Sequence, residues 1–247
     1  MLYVFLFALL CFLCACIGAS IVFFVKKGSN KMEAFLHAFA SGVMIASSIF
    51  SLIIPAIRYA KELSLNIAII LPICFVIVGV LFLLLDFAAK NKSKNQVNIP
   101  MIMLGVGLHN IPEGICIGVA FASWVTIGSY ASFMSAIMIA VGIAIQNIPE
   151  GSSISFPLYC KGMSKFKSFL CSAGVASIEV VSCIIAFFVG SNNVVILPFM
   201  LSFAGAVMLV VAICDLMPEA SQRHKIWAFV SFILGFVLMM TLSLALG

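Results

Sequence analysis

The chain has 247 residues, of which 64% are hydrophobic and only 9% are charged, with a formal net charge of +5. A soluble domain of this composition would be covered with apolar side chains, so soluble enzymes and nucleic-acid-binding modules are excluded. The composition predicts an all-α polytopic membrane protein, surrounded by lipid and without a nucleic-acid partner, that forms a single transmembrane domain over residues 1–247.

Eight apolar segments are long enough to cross a bilayer, which takes about 20 residues of helix. The predicted spans are 2–25, 32–57, 67–89, 99–124, 129–158, 166–189, 194–220 and 226–246. We interpret the first as a retained helix rather than a cleaved signal, because it is long enough to span and no basic residue precedes it.

Basic residues are concentrated in alternate connections between the spans. Eleven of the 13 Lys and Arg residues lie in the first, third, fifth and seventh connections, whereas Arg58 and Lys61 lie in the second. Because basic residues favour the cytoplasmic side of a membrane, these odd connections are predicted to be cytoplasmic and both termini outside.

A five-residue motif, Asn-Ile-Pro-Glu-Gly, occurs at 110–114 in the fourth span and at 147–151 in the fifth. In a helix, its Asn and Glu share one face with the polar residue that precedes it. These residues are His109, Asn110, Glu113, Gln146, Asn147 and Glu150. Ionised carboxylates are costly inside a membrane and usually functional there. Imidazole, carboxylate and amide groups together suit a borderline divalent metal such as zinc.

The prolines and glycines of the motif affect the helix backbone. Pro112 and Pro149 are predicted to kink their helices, and each frees the carbonyl four residues back. Gly114 and Gly151 are predicted to let neighbouring helices approach closely. Glu179, in the sixth span, lies among small residues that permit close packing against the fourth or fifth span, so we expect it to be a further site residue.

Other polar residues lie near the predicted ends of the spans. Asp215 and Glu219 are four residues apart and could form a cytoplasmic exit site with His224, and the alternative is a helix end that faces water. Glu33 is interpreted as a helix-end residue that needs no special explanation. Cysteines within the apolar segments are interpreted as buried free thiols, with those of the first span, such as Cys11, facing lipid or neighbouring helices.

The predicted topology makes the fourth and fifth spans antiparallel, so the motif forms an inverted repeat. Phe-Ala-Ser-Gly-Val-Met at 39–44 also resembles Phe-Ala-Gly-Ala-Val-Met at 203–208, in spans of opposite direction. Spans one to three and six to eight would then be inverted halves that flank a central pair. Inverted repeats with broken helices are typical of secondary transporters.

The two motif segments, Leu-His-Asn-Ile-Pro-Glu-Gly and Ile-Gln-Asn-Ile-Pro-Glu-Gly, resemble the ZIP (Zrt-, Irt-like protein) divalent-metal transporters, especially their prokaryotic GufA-like branch. The resemblance covers essentially the whole chain. It implies a secondary transporter, not an enzyme, that carries zinc, and often iron, manganese or cadmium, into the cytoplasm by alternating access. It also implies a plasma- or inner-membrane location and no cofactor, because the metal is the substrate.

The resemblance further implies a 3+2+3 arrangement of eight helices, a homodimer, and an elevator-like motion of helices one, four, five and six against the others. The primary site that it implies consists of His109, Glu113, Gln146 and Glu150. A second site would use Asn110, Asn147 and Glu179 and share Glu113 and Glu150. Relatives often have aspartate at the position of Asn147, and many carry histidines in the third connection, where this chain has none.

Two alternatives to a carrier remain open from the residues. A passive metal channel could use the same ligands. A metal-dependent intramembrane enzyme would need three protein ligands and an activated water, and the His-Glu-x-x-His pattern of many such enzymes is absent.

Overall fold

A computed structural model describes the backbone of residues 1–26, 30–92, 99–190 and 194–246. Side chains are described in the same ranges, apart from those of residues 85, 86, 88–92, 99–109, 131, 194 and 246. Every element of regular structure in these ranges is helical.

The helices follow one another with short connections. They are α1 (Leu2–Ala19), α2 (Ile21–Phe24), α3 (Asn30–Ser47), α4 (Ile54–Glu62), α5 (Ile67–Lys92), α6 (Ile99–Ile127), α7 (Tyr130–Cys160), α8 (Lys165–Gly190), α9 (Leu197–Val211) and α10 (Met217–Leu246). Two π-helical segments, Ser48–Ile53 and Ala212–Leu216, join α3 to α4 and α9 to α10, and a short 3-10 turn at Val194–Ile196 precedes α9.

Seven continuous helical stretches of the described residues are long and apolar enough to cross a membrane. The last of them, Leu197–Ala245, has 49 residues, more than twice the length that one crossing needs. Its backbone leaves helical geometry at His224, where φ is −163° and ψ is 97°. The prediction of an all-α polytopic membrane protein is therefore confirmed.

Two connections are shorter than the sequence predicted. The second predicted span ends at residue 57, but α4 continues to Glu62, so Arg58 and Lys61 lie on a helix. Residues 221–225 were predicted to form a connection, but they are helical apart from His224. Arg and Lys are good helix formers, and their long stems let the charged group reach water from a helix end, so a helix can continue past the end of its apolar segment.

Glycine contacts fix the closest helix crossings. A Cβ on Gly114 of α6 would overlap the carbonyl oxygen of Glu179 on α8, and one on Gly151 of α7 would overlap that of Ala15 on α1. Small residues at such crossings are how membrane helices pack without a hydrophobic driving force. The predicted close approach at both glycines is confirmed, as is the packing of the Glu179 helix against the fourth span.

The remaining long helices form a second set of contacts. Helix α3 packs against α10, and α5 packs against α9. The Ser41 hydroxyl of α3 donates to the carbonyl oxygen of Ala212 at 3.0 Å, and the Cys74 thiol of α5 donates to that of Phe199 at 3.8 Å. The largest buried apolar cluster lies where α1, α6, α7 and α9 meet, next to the predicted site.

Candidate metal site

Both copies of the motif lie inside uninterrupted helices. Helix α6 continues through Pro112 and α7 continues through Pro149, so neither helix is broken at the motif. The kink predicted at each of these prolines stays a prediction. Neighbouring helices and hydroxyl groups can compensate for a proline in a membrane helix.

Six of the seven predicted ligands have buried side chains, none more than 5% exposed. They are Asn110, Glu113, Gln146, Asn147, Glu150 and Glu179. The backbone of His109 lies in α6, and its side chain is outside the described residues. Three carboxyl groups and three amides are thus enclosed in a largely apolar bundle.

Two hydrogen bonds of 2.5 Å connect these side chains across helices. Nε2 of Gln146 on α7 donates to Oε1 of Glu113 on α6. Nδ2 of Asn147, the next residue of α7, donates to Oε2 of Glu179 on α8. Adjacent residues of α7 therefore pair with carboxylates on two different helices, and the structure brings α6, α7 and α8 together at one level.

Several buried oxygens of the predicted ligands have no hydrogen-bond donor among the described residues. They include Oδ1 of Asn110, Oε2 of Glu113, Oε1 of Gln146, Oδ1 of Asn147 and Oε1 of Glu179. A buried acceptor without a donor costs about 1–3 kcal/mol, so each such atom needs an explanation. Several of them in one place leave lone pairs that a cation could use.

The carboxylates also influence one another. Glu113 interacts electrostatically with both Glu150 and Glu179, although the three lie on different helices. Like charges held together in a low-dielectric interior repel strongly, and a divalent cation between them would remove that repulsion. Electrostatics therefore favours a cation at the meeting point of α6, α7 and α8.

Among the described residues, the His, Cys, Asp and Glu side chains alone do not supply enough ligands for a metal ion. No group of three or more His, Cys, Asp and Glu side chains in that part of the chain is close enough to hold a metal ion. This leaves out the amides and the His109 side chain. A ligand set here would accordingly need amide oxygens or the imidazole, and ligation stays a prediction.

The two predicted exit residues, Asp215 and Glu219, differ in their surroundings. Asp215 is exposed on the π-helical segment after α9. Oε1 of Glu219 accepts a hydrogen bond from Nη2 of Arg223 at 3.0 Å, and its Oε2 lies 3.8 Å from Nε2 of His37. Nδ1 of His224 accepts a 3.5 Å hydrogen bond from the backbone nitrogen of Trp227. Glu219 is thus held by an arginine, and the exit site stays a prediction.

Glu33 does need an explanation, contrary to its interpretation from sequence. It is only 3% exposed and forms an ion pair with Arg223, which ties the start of α3 to α10. Its backbone oxygen also contacts Nδ1 of His37 at 2.8 Å. The spacing of Glu33 and His37, four residues apart on one helix face, was the available signal.

A family model of the ZIP zinc transporters matches residues 86–243, which is more than half of the chain. The chain therefore belongs to the ZIP zinc transporter family, and the resemblance found in its motifs is confirmed. The matched region contains every predicted ligand and both predicted exit residues.

Individual relatives agree with this assignment. Zinc transporter ZIP11 of Bos taurus is 40% identical over 162 residues, 65% of this chain and 47% of the relative, so the chain spans about half of that protein. Zinc transporter ZIPB of Bordetella bronchiseptica is 28% identical over 251 residues, 96% of this chain and 79% of the relative. Zinc transporter ZupT of Chlorobaculum parvum is 29% identical over 269 residues, 99% of this chain and 97% of the relative. All three relatives are zinc transporters by name. Their family is one of transporters rather than enzymes, as the resemblance implied.

Proposed function

We propose that the chain is a secondary transporter that carries divalent transition-metal ions, zinc foremost, across the plasma or inner membrane into the cytoplasm by alternating access. The observation that carries this proposal is the group of buried acceptor oxygens without donors where α6, α7 and α8 meet. The printed names of the relatives, all zinc transporters, favour zinc among the divalent ions.

The chemistry of the site suits a dehydrated cation. An uncompensated charge at the centre of a membrane costs at least about 3 kcal/mol. Glu113 and Glu150 would cancel the two charges of the ion, while oxygens such as Oε1 of Gln146 replace its water ligands. Both side chains of the Glu113–Gln146 pair retain one oxygen without a donor, so the pair can bind an ion without first breaking its own hydrogen bond.

The length of the last helical stretch supports eight crossings. At 1.5 Å per residue, the 49 residues of Leu197–Ala245 would extend about 74 Å, whereas the hydrocarbon core is about 30 Å thick. The non-helical backbone of His224 lies at the point where two crossings would join. With eight crossings, the distribution of Lys and Arg favours an orientation with both termini outside.

Repeated local geometry supports the inverted halves of a 3+2+3 arrangement. One π-helical segment begins at Ser48, nine residues after Phe39, and the other begins at Ala212, nine residues after Phe203. These two phenylalanines start the similar hexapeptides of the second and seventh predicted spans. Short π-helical segments are rare and often lie at functional sites, so their matching positions are unexpected for unrelated helices.

The helix contacts are compatible with an elevator-like motion of one group of helices. Backbone-to-backbone crossings at glycine interlock α1 with α7 and α6 with α8, and separately α3 with α10. At the contact between the two groups, a Cβ on Gly142 of α7 would meet atoms of the Ser51 side chain and not backbone atoms. Helices that touch through side chains can slide past each other more easily than helices whose backbones are in contact. A homodimer is part of the proposal on the family resemblance alone.

Zinc uptake by the purified protein in proteoliposomes tests this function. Saturable uptake, accelerated when the vesicles are preloaded with unlabelled zinc, is expected for a carrier. Uptake without that acceleration would indicate a passive channel instead. Absence of metal uptake by correctly folded protein would overturn the proposed function.

A further inference from the structure

Helix α1 places a thiol beside the carboxylate and amide of the predicted second site. Cys11 is fully buried, and its backbone oxygen accepts a hydrogen bond from Nδ2 of Asn147 at 3.4 Å. Its side chain interacts with the carboxylate of Glu179, and its sulfur lies 3.6 Å from the carbonyl oxygen of Ala140, to which it donates. Cys11 thus neighbours two predicted ligands on two other helices, Asn147 through its backbone oxygen and Glu179 through its side chain.

We infer that Sγ of Cys11 is a further ligand for a cargo ion held by Glu179 and Asn147, and that it biases this position toward soft, thiophilic metal ions. The inference rests on the proposed transport function and deepens it, because it concerns which ions the same site prefers. Thiolate ligands select soft and borderline ions such as cadmium and zinc over manganese, which prefers oxygen ligands.

The amide of Asn147 gives an independent reason to expect an ion here. Its nitrogen is occupied by hydrogen bonds to Glu179 and to the backbone of Cys11. Its oxygen has no donor among the described residues, although the side chain is only 2% exposed. The amide is therefore held through its nitrogen by Glu179 and by the backbone of Cys11, and its buried oxygen is left without a donor.

Charge also favours this ligand set. Metal binding releases the proton of a coordinating thiol, so Cys11 and Glu179 would contribute one negative charge each. Together they cancel a divalent ion, while Asn147 adds a neutral oxygen. The set contains only two ionisable ligands, which is consistent with the lack of any larger His, Cys, Asp and Glu cluster in the described part of the chain. Cys14, three residues further along α1, is only partly buried and is not part of it.

The competing interpretation is that Cys11 is a packing residue whose thiol only bonds to Ala140. Cys74 provides a matched control for that case. It is also a buried thiol, and it donates to a backbone oxygen of a neighbouring helix, that of Phe199. It lies at the contact of α5 with α9, away from Glu179 and Asn147.

The test compares Cys11→Ser with Cys74→Ser in the full-length purified protein, using cadmium and manganese as probes. Addition of cadmium to the parent and to Cys74→Ser should produce ultraviolet sulfur-to-cadmium charge-transfer absorption that is reduced in Cys11→Ser. In proteoliposomes, Cys11→Ser should lower cadmium uptake relative to manganese by about tenfold, the size typical of changes close to a metal. If Cys11→Ser does not fold, Cys11→Ala replaces it, because alanine introduces no buried hydroxyl.

The outcomes separate this inference from the proposed function. Equal charge-transfer absorption and an unchanged cadmium-to-manganese ratio in Cys11→Ser would overturn the role of Cys11, while zinc uptake by the same variant would leave the transport function standing. A parent protein that carries no metal at all would overturn the transport function and this inference with it.

Discussion

Gln146 on α7 donates a 2.5 Å hydrogen bond to Glu113 on α6, so the two copies of the repeated motif meet through their polar faces. The pair joins the helices without using all of its oxygens, because Oε2 of Glu113 and Oε1 of Gln146 both lack a donor among the described residues. A pair that only joined helices would be more stable with these atoms satisfied. The unused oxygens are the reason to treat the contact as part of a cation site.

The first prediction concerns the crossing of α6 and α8. Gly114→Ala should lower the melting temperature of the detergent-solubilised protein and reduce zinc uptake, because the added Cβ would overlap the backbone oxygen of Glu179. Overpacking of this kind costs about 1–3 kcal/mol. Gly174→Ala on α8 is the matched control, because a Cβ there meets no atom within 4 Å. Equal melting of the two variants would show that α6 and α8 do not cross at Gly114.

The second prediction concerns Asn147. Asn147→Asp should lower the melting temperature without metal, because aspartate cannot donate to Glu179 and instead repels it. Zinc should then raise the melting temperature of the variant more than that of the parent, and bound metal per protein should increase or the range of transported ions should broaden.

Asn66→Asp is the control for this experiment. Asn66 is exposed, and its Oδ1 accepts a hydrogen bond from the backbone of Ala68 at the start of α5. Aspartate can do the same, so this variant should behave as the parent does. If Asn147→Asp also matches the parent in melting, metal stoichiometry and selectivity, then Asn147 is not part of a metal site.

The third prediction concerns topology. Single cysteines introduced for Ser93 and Ser164, in a background without the native cysteines, should react with a membrane-impermeant reagent only from the cytoplasmic side. A cysteine introduced for Ser191 should react from outside. The physical basis is the concentration of Lys and Arg in the odd connections. Labelling of the Ser93 position from outside would reverse the orientation and with it the direction of transport.

The sequence predicted the parts of the molecule that depend on local pattern. Apolar length identified the helices, and the repeated motif identified residues such as Glu113 and Gln146 that the fold then brought together. The spacing of Glu33 and His37 indicated a shared helix face, but the ion pair of Glu33 with Arg223 could not be predicted, because Arg223 lies near the other end of the chain. Proline did not interrupt α6 or α7, because surrounding helices override a local preference.

The placement of Cys11 was missed for a related reason. Cys11 and Cys14 have Cys-x-x-Cys spacing, which is a metal-binding signal, but both lie in an apolar helix where thiols usually only pack. Which of them faces the site depends on how α1 rotates against α7 and α8. Gly18 lies seven residues after Cys11 on the same face of α1 and crosses α7 at Ile148, but which helix packs on that face cannot be read from α1 alone.

The most direct test of the metal site is zinc uptake by purified, reconstituted Glu113→Gln. Glutamine keeps the size of the side chain and can still form an interhelical hydrogen bond, worth about 1 kcal/mol in a membrane, so the variant should fold. It removes one of the two charges that cancel the ion in the primary site, so zinc uptake should be largely lost. Glu62→Gln, at the exposed end of α4, is the control and should transport as the parent does. Near-parental zinc uptake by well-folded Glu113→Gln would contradict the assignment of Glu113 as a metal ligand.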